Sequence, residues 1–267
     1  MLKGFTTPLS PQGKSGLVPP PPWHNSGSMF CVEYWGDPDA IERFLPPGFE
    51  RADQPDYCIA HFVEWQSCTD SQAELLDPVR AQYMEFFVII PASYKGEQTF
   101  ICPFMYVNND INMYRGLLQG LPKQQASIYM TRSYATDNPS SGHRKPGQQY
   151  GGTLAYRDRR LANGSITLEE RAETPPFGMA VNPVLGMRHF PDLVEGQVGE
   201  PVVWDIVAFA GTNRQIADVW VGDGALEYFP APNQELYDLR PLKVGRACRY
   251  DMAYTIEYVR KLGDLKG

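Results

Sequence analysis

Hydrophobic and polar residues alternate along most of the chain beyond residue 28, and turn residues separate the alternating segments. Because successive side chains of a strand point to opposite faces, this alternation predicts β-strands. A step from Asn163 to Gly164 between two such runs predicts a hairpin turn. The segments are MFCVEYW, YCIAHFVEW, YMEFFVIIP, TFICPFMYV, QASIYMTRSY, GGTLAYR, SITLEERAE, PVVWDIVAFA and RYDMAYTIEYV. Many short strands indicate a sandwich or a closed barrel.

Two segments have the pattern of short helices. GDPDAIERFLPPGF offers Asp37 as an N-cap and Pro38 for the first turn, and a Pro-Pro pair ends the helix. NNDINMYRGLLQG is the second, which Gly120 and Pro122 close. The sequence therefore predicts a mainly β protein with a few peripheral helices.

The first 28 residues differ in composition from the rest. They are rich in Pro, Gly and Ser, and successive prolines favour an extended arm over a helix or a central strand. Beyond them we find no internal repeat and no second boundary. We therefore predict a Pro-rich N-terminal arm over 1–28 and a single domain over 29–267.

Composition narrows the class of protein. The chain has 267 residues and a net charge of −7, without a run of Lys and Arg, which disfavours nucleic-acid binding and favours a small-molecule partner. Five cysteines without a CxxC pair and four scattered histidines disfavour disulfides and metal sites. We expect no cofactor. With neither a signal peptide nor an apolar run of about 18 residues, we expect no membrane association and a cytoplasmic location.

One lysine stands where the second helix gives way to a strand. Arg115 and Gln119 are four residues apart and share a helix face, and Lys123 follows the helix end. Arginine binds a carboxylate bidentately, and a deprotonated lysine amine can attack a ketone to form a Schiff base. Flanking leucines and Arg115 could lower the lysine pKa. The alternative is that Lys123 is an ordinary solvated surface lysine.

Two further residues are candidates for proton transfer. In YMEFFVIIP, Glu85 stands in a run that is apolar on both strand faces, where a carboxylate is rare unless it is paired or functional. An edge strand with Glu85 in water is the alternative. In the last strand Tyr254 is a candidate because a phenol can donate and accept protons, and Tyr250 shares its face.

The segments YMEFFVIIPASYKGE and NMYRGLLQGLPKQ together resemble the acetoacetate decarboxylase-like superfamily. The resemblance implies an antiparallel β-barrel, homo-oligomers with a tetramer favoured, and a Schiff base on the lysine of the Pro-Lys dipeptide, Lys123. The family's decarboxylases carry a second lysine where this chain has Gln124. They also carry an arginine near the N-terminus, where this chain has Ser26 and Gly27.

The pair Arg115 and Gln119 is similar to the pyruvate-dependent aldolase-dehydratase branch of the superfamily. That resemblance implies condensation of pyruvate, or a related 2-oxo acid, with an aldehyde. Arg115 and Gln119 would bind the carboxylate, Lys123 would form the imine, and Glu85 and Tyr254 would move protons. A β-keto acid decarboxylase and a non-catalytic barrel that binds a small ligand are the alternatives.

Overall fold

The computed structural model describes residues 1–266, which form one 12-stranded sheet with short helices around it. The helices are α1 (Pro38–Glu42), α2 (Pro78–Ala81) and α3 (Asp110–Leu118). The strands are β1 (Trp23–Trp35), β2 (Phe49–Glu50), β3 (Tyr57–Cys68), β4 (Gln82–Tyr94), β5 (Glu97–Val107), β6 (Lys123–Gln125), β7 (Ser127–Met130), β8 (Gln149–Tyr156), β9 (Arg159–Arg171), β10 (Val184–Pro191), β11 (Pro201–Tyr228) and β12 (Lys243–Asp264).

The sheet is barrel-like. Its strands follow the order β10-β5-β4-β3-β1-β12-β11-β9-β8-β7, and β10 also pairs with β11. Because β10 contacts both β5 and β11, seven of these strands close into a ring. The C-terminal part of β11 pairs with β9, and β8 and β7 follow β9 in the sheet. Most neighbours are antiparallel, as the resemblance implies, but β5 pairs in parallel with β10 and with β6. The mainly β, barrel-like fold is thereby confirmed.

Strand β4 separates two hydrophobic clusters, as its alternation predicts. The side chains at even positions 84–90 join one cluster, and Tyr83, Phe87 and Ile89 join the other. Glu85 lies on the second face, among these apolar residues. The second cluster borders a cavity inside the ring of strands, and this cavity contains the candidate site.

Both predicted helices are present, but the predicted hairpin turn is wrong. Asp37 caps α1 by accepting a hydrogen bond from the Asp39 backbone N–H, as expected. Asn163 and Gly164 instead lie inside β9, and the chain turns at residues 157–158 between β8 and β9. A Cβ at Gly164 would lie 2.5 Å from the Phe62 ring, so this glycine allows close packing of the ring rather than a turn.

The N-terminal segment folds against the body. Thr6 donates its hydroxyl proton to the Val18 carbonyl, and Val18 packs in a small core with Trp23 and Ile256. Strand β1 begins at Trp23, so residues 23–28 of the predicted arm already belong to the sheet. No helix within residues 1–266 is both long and apolar enough to cross a membrane.

Candidate active site

The end of helix α3 fixes the backbone that leads to Lys123. Gly120 adopts a left-handed conformation with φ +83. Its N–H donates to the Leu117 carbonyl, and the Leu121 N–H donates to the Gly116 carbonyl. This pair of bonds is a Schellman motif, which ends the helix and reverses the chain. Lys123 then opens β6, where it pairs with Met105 of β5.

The aliphatic part of the Lys123 side chain lies against helix α3 at Gly116. A Cβ placed on Gly116 would lie 2.2 Å from Cδ and 2.5 Å from Cε of Lys123. Such distances are far below ordinary carbon contact. The bare backbone of Gly116 therefore makes room for the lysine, whose amine is carried past the helix into the cavity.

The Lys123 amine meets the Glu85 carboxylate inside the protein. Nζ lies 2.6 Å from Oε2 of Glu85, and only 4% and 6% of the two side chains are exposed. Burial lowers the pKa of Lys123 below its ordinary value, and the charge of Arg115 acts in the same direction, whereas Glu85 opposes the shift. The net effect is a larger fraction of neutral, nucleophilic amine at a given pH.

Glu85 is held in place by a residue that the sequence did not single out. The indole N–H of Trp65 donates to Oε1 of Glu85 at 3.0 Å, which leaves Oε2 directed at the lysine. Trp65 lies on β3, opposite Tyr83 of β4. A Cβ at Gly27 would lie 2.3 Å from the Trp65 ring, so the chain has no room there for a larger side chain.

Arg115 is a buried cation with neutral partners. Its guanidinium donates to the hydroxyl of Ser67 at 2.6 Å, and to the side-chain oxygens of Asn25 and Tyr83 at 3.2 Å each. The residue is 6% exposed and also lies over the ring of Trp23. A buried charge is costly without a counter-charge. This arrangement is therefore suited to an incoming carboxylate.

Gln119 and Tyr254 complete the predicted set. Gln119 is the C-cap residue of helix α3 and lines the cavity. Tyr254 lines it from β12 and packs edge-on against Trp65. Burial raises the pKa of the Tyr254 phenol, so it stays protonated at neutral pH. Tyr250 is fully buried beside Cys31 and does not line the cavity.

All five residues proposed from the sequence thus line one cavity of about 500 Å³. Sequence reasoning missed Trp65, Ser67 and Asn25 as supporting residues. Trp65 ends a predicted strand, whose alternation does not reveal which strands are neighbours, and Asn25 and Ser67 lie outside the predicted strands. The other lining residues are mainly apolar and include Phe87, Ile89, Met105, Leu121, Met179, Val181, Val184, Leu185, Phe209, Met252 and Ile256.

Gln124 stands where the resemblance implies a second lysine in the decarboxylases, and it lies on the opposite side of β6 from Lys123. Its side-chain oxygen accepts a hydrogen bond from Gln234, and it does not line the cavity. A side chain at this position therefore has little access to a substrate on Lys123. Residues 1–266 contain no group of three or more His, Cys, Asp and Glu side chains placed to hold a metal ion.

Comparison with known proteins agrees with the fold. The sequence profile of the family described as acetoacetate decarboxylase matches residues 6–265. The solved structure of the enduracididine biosynthesis enzyme MppR, complexed with the condensation product of pyruvate and imidazole 4-carboxaldehyde, is 33% identical. The match covers 99% of this chain and 98% of that one, with a TM-score of 0.91. A search among curated proteins found no matching sequence.

Two further solved structures are similar over nearly their whole length. MppR complexed with pyruvate is 32% identical, with 99% of each chain covered and a TM-score of 0.90. An acetoacetate decarboxylase-like enzyme from Sphingomonas wittichii RW1 is 26% identical, with 97% and 100% of the two chains covered and a TM-score of 0.88. The chain belongs to the acetoacetate decarboxylase family.

Proposed function

We propose that the protein is a class I aldolase-dehydratase, which condenses pyruvate or a related 2-oxo acid with an aldehyde. One observation carries the proposal: the buried contact between Lys123 and Glu85 shares a cavity with Arg115, a buried cation whose partners are neutral. A 2-oxo acid has a ketone for the amine and a carboxylate for the guanidinium, on adjacent carbon atoms.

The first half of the reaction forms the nucleophile. Glu85 takes a proton from the Lys123 ammonium, and the free amine attacks the ketone carbon. Glu85 returns this proton to the hydroxyl group that leaves as water, which gives an iminium ion and restores the carboxylate of Glu85. Arg115 and Gln119 hold the substrate carboxylate. The iminium withdraws electrons from the neighbouring methyl carbon, so a base can remove a proton there and leave an enamine. Glu85 is the base we assign, because its carboxylate already contacts the lysine nitrogen.

The second half joins the two substrates. The enamine carbon attacks the aldehyde carbon, which forms the new carbon–carbon bond, and the Tyr254 phenol donates a proton to the aldehyde oxygen. Glu85 passes the proton that it took from the methyl group to the Tyr254 phenolate and removes a second proton from the same carbon. Tyr254 then protonates the departing hydroxyl group, which leaves as water, and Glu85 reprotonates the phenolate. Hydrolysis of the iminium releases an unsaturated 2-oxo acid and restores the lysine. The reverse direction, a retro-aldol cleavage, uses the same groups.

The relatives support this proposal. MppR has been solved with pyruvate and with the condensation product of pyruvate and an aldehyde. At 33% identity over nearly the whole chain, the shared fold makes pyruvate the first substrate to test here.

The direct test is product formation. Purified protein, pyruvate and a panel of aldehydes should give conjugated 2-oxo acids, which are followed by their ultraviolet absorbance and identified by mass. Lys123→Ala should abolish turnover while circular dichroism stays unchanged. If that variant keeps full turnover, the imine mechanism is wrong. If the wild type turns over nothing but binds small apolar ligands, and Lys123→Ala binds them equally well, the non-catalytic barrel explains the cavity better.

Decarboxylation of a β-keto acid is the second candidate function. The position of Gln124 is compatible with it. Because Gln124 points away from the cavity, the loss of the family's second lysine removes no group from the substrate side of Lys123. The same iminium could accept the electrons left by departing carbon dioxide. Steady carbon dioxide release from acetoacetate, with no condensation product from pyruvate, would select this function.

We also propose that the protein acts in the cytoplasm as a homo-oligomer, with a tetramer favoured. Exposed apolar side chains are available for subunit contact near the N-terminus, at Leu2 and Phe5, and in the loop before β11, at Leu193 and Val198. Light scattering coupled to size-exclusion chromatography gives the mass directly. A monomer across the working concentration range would refute the assembly.

A further inference from the structure

The cavity walls carry an excess of positive charge. Four of the charged side chains that line it are cationic and one is a carboxylate, although the whole chain has 31 acidic and 24 basic residues. Glu85 contacts Lys123, and the proposed mechanism assigns Arg115 to the carboxylate of the 2-oxo acid. Arg214 and Arg260 remain as cavity cations that the mechanism does not use.

Arg214 is directed to the cavity by an irregularity in β11. The register of β11 against β12 shifts between Thr212 and Gln215, and Asn213 has a left-handed φ of 51. Such irregularities re-aim side chains relative to the regular sheet. One guanidinium N–H of Arg214 donates to the Ala180 carbonyl, which anchors the side chain against the loop that precedes β10.

The rest of the Arg214 guanidinium is free to bind a ligand. Arginine has five N–H donors, and one is used by Ala180. Within residues 1–266 no carboxylate forms a salt bridge with Arg214. The residue is exposed, so the part of the cavity that it lines is open to solvent. Arg214 also lies beside Tyr254 of β12, because Thr212 pairs with Thr255 and Gln215 pairs with Ala253.

We propose that the aldehyde substrate carries a carboxylate and that Arg214 binds it. The inference rests on the proposed aldolase function and adds the chemical class of the second substrate. An arginine fork matches a carboxylate, and a cationic cavity in an acidic protein draws anions inward. Because Arg214 lies near Tyr254, the carboxylate end of the aldehyde is held on the side where the phenol protonates the aldehyde oxygen.

The test separates this inference from the aldolase function itself. Borohydride reduction in the presence of pyruvate converts an imine at Lys123 into a stable amine, and mass analysis verifies the adduct in the wild type and in each variant. Calorimetry then measures binding of 4-methylbenzoate, an unreactive anion, and of its neutral methyl ester to the trapped protein. The trapped wild type should bind the anion about tenfold more tightly than the ester. The preference should disappear in Arg214→Gln and persist in Arg260→Gln.

Turnover gives a second readout. The ratio of kcat/KM for 4-carboxybenzaldehyde to that for methyl 4-formylbenzoate should fall about tenfold in Arg214→Gln and recover in part in Arg214→Lys. Any change in Tyr254 affects both aldehydes and cancels in the ratio. Equal binding of anion and ester by the trapped wild type overturns the inference, and so does a preference that follows Arg260 instead. Absence of a pyruvate adduct overturns the aldolase function, and this inference with it.

Discussion

The substitution Gly116→Ala isolates the positioning of the lysine from its chemistry. It adds a single methyl group to helix α3, and it leaves every proposed reacting group in the protein. The new Cβ would lie 2.2 Å from Cδ and 2.5 Å from Cε of Lys123. The clash therefore falls on the side chain that is proposed to form the imine.

The size of the effect follows from these distances. Carbon atoms in contact are about 3.5–4.0 Å apart, so Cδ must move by at least about 1.3 Å. A movement of this size disrupts the 2.6 Å contact between Nζ and Glu85. Misplacement of a reacting group by about 1 Å can cost about 100-fold in rate. We therefore expect kcat to fall by about 100-fold.

The thermal stability of Gly116→Ala should not fall with its activity. Alanine is favoured over glycine in a helix interior by about 0.8–1.0 kcal/mol. The clashing atoms belong to a flexible side chain, which can yield without unfolding the helix. We therefore expect the Tm of Gly116→Ala to stay equal or rise while its activity falls.

The assay combines pyruvate trapping, turnover and thermal unfolding on the same preparations. Gly151→Ala in β8 is the matched control, because the nearest atoms to its new Cβ are 3.9 and 4.0 Å away. It should keep wild-type trapping and turnover. If Gly116→Ala traps pyruvate at the wild-type rate, Lys123 does not depend on the bare backbone and the reasoning is refuted. A large fall in Tm would show that the clash damages the fold instead.

The remaining predictions concern the groups around the lysine. The rate of trapping should rise with pH and reach half its plateau below pH ~10.4, the ordinary lysine value, because burial lowers the pKa of Lys123; a midpoint at or above that value contradicts this. Glu85→Gln should move the midpoint lower still, since the carboxylate raises that pKa, and kcat should fall about 10²–10⁴-fold; unchanged kcat would exclude Glu85 from proton transfer. Trp65→Phe removes the indole N–H from Glu85 and should lower kcat about tenfold, with circular dichroism unchanged; wild-type kcat would show that the hydrogen bond is dispensable. Arg115→Lys keeps the charge but loses the fork, so KM for pyruvate should rise about tenfold or more and kcat should change less; steady-state kinetics showing the reverse pattern would argue against carboxylate binding.

The local pattern of the sequence was sufficient where the site depends on local geometry. Alternation in β4 placed Glu85 on a buried face, and the Gly120 and Pro122 pair placed the end of α3 directly before Lys123. Arg115 and Gln119 reached the same cavity because they share one helix face. These inferences needed no knowledge of which strands are neighbours.

The rest depends on contacts between distant segments. Trp65 reaches Glu85 because β3 pairs with β4 in a register that no local pattern reveals. The closure of the ring depends on a parallel contact between Val184 and Phe100, and no local pattern of the sequence reveals this pairing either. At Gly164 a local pattern gave a wrong prediction. An Asn-Gly step usually indicates a turn, whereas here the glycine makes room for the ring of Phe62, which is distant in the sequence.

Borohydride trapping with pyruvate, followed by peptide mass analysis, tests the central claim most directly. The proposed mechanism predicts one reduced pyruvate adduct per chain, confined to the peptide that contains Lys123 and absent from Lys123→Ala. The Lys123→Ala protein should show the wild-type circular dichroism spectrum, which ensures that loss of the adduct reflects loss of the amine. An adduct on other lysines only, or an equal yield from Lys123→Ala, would contradict the account.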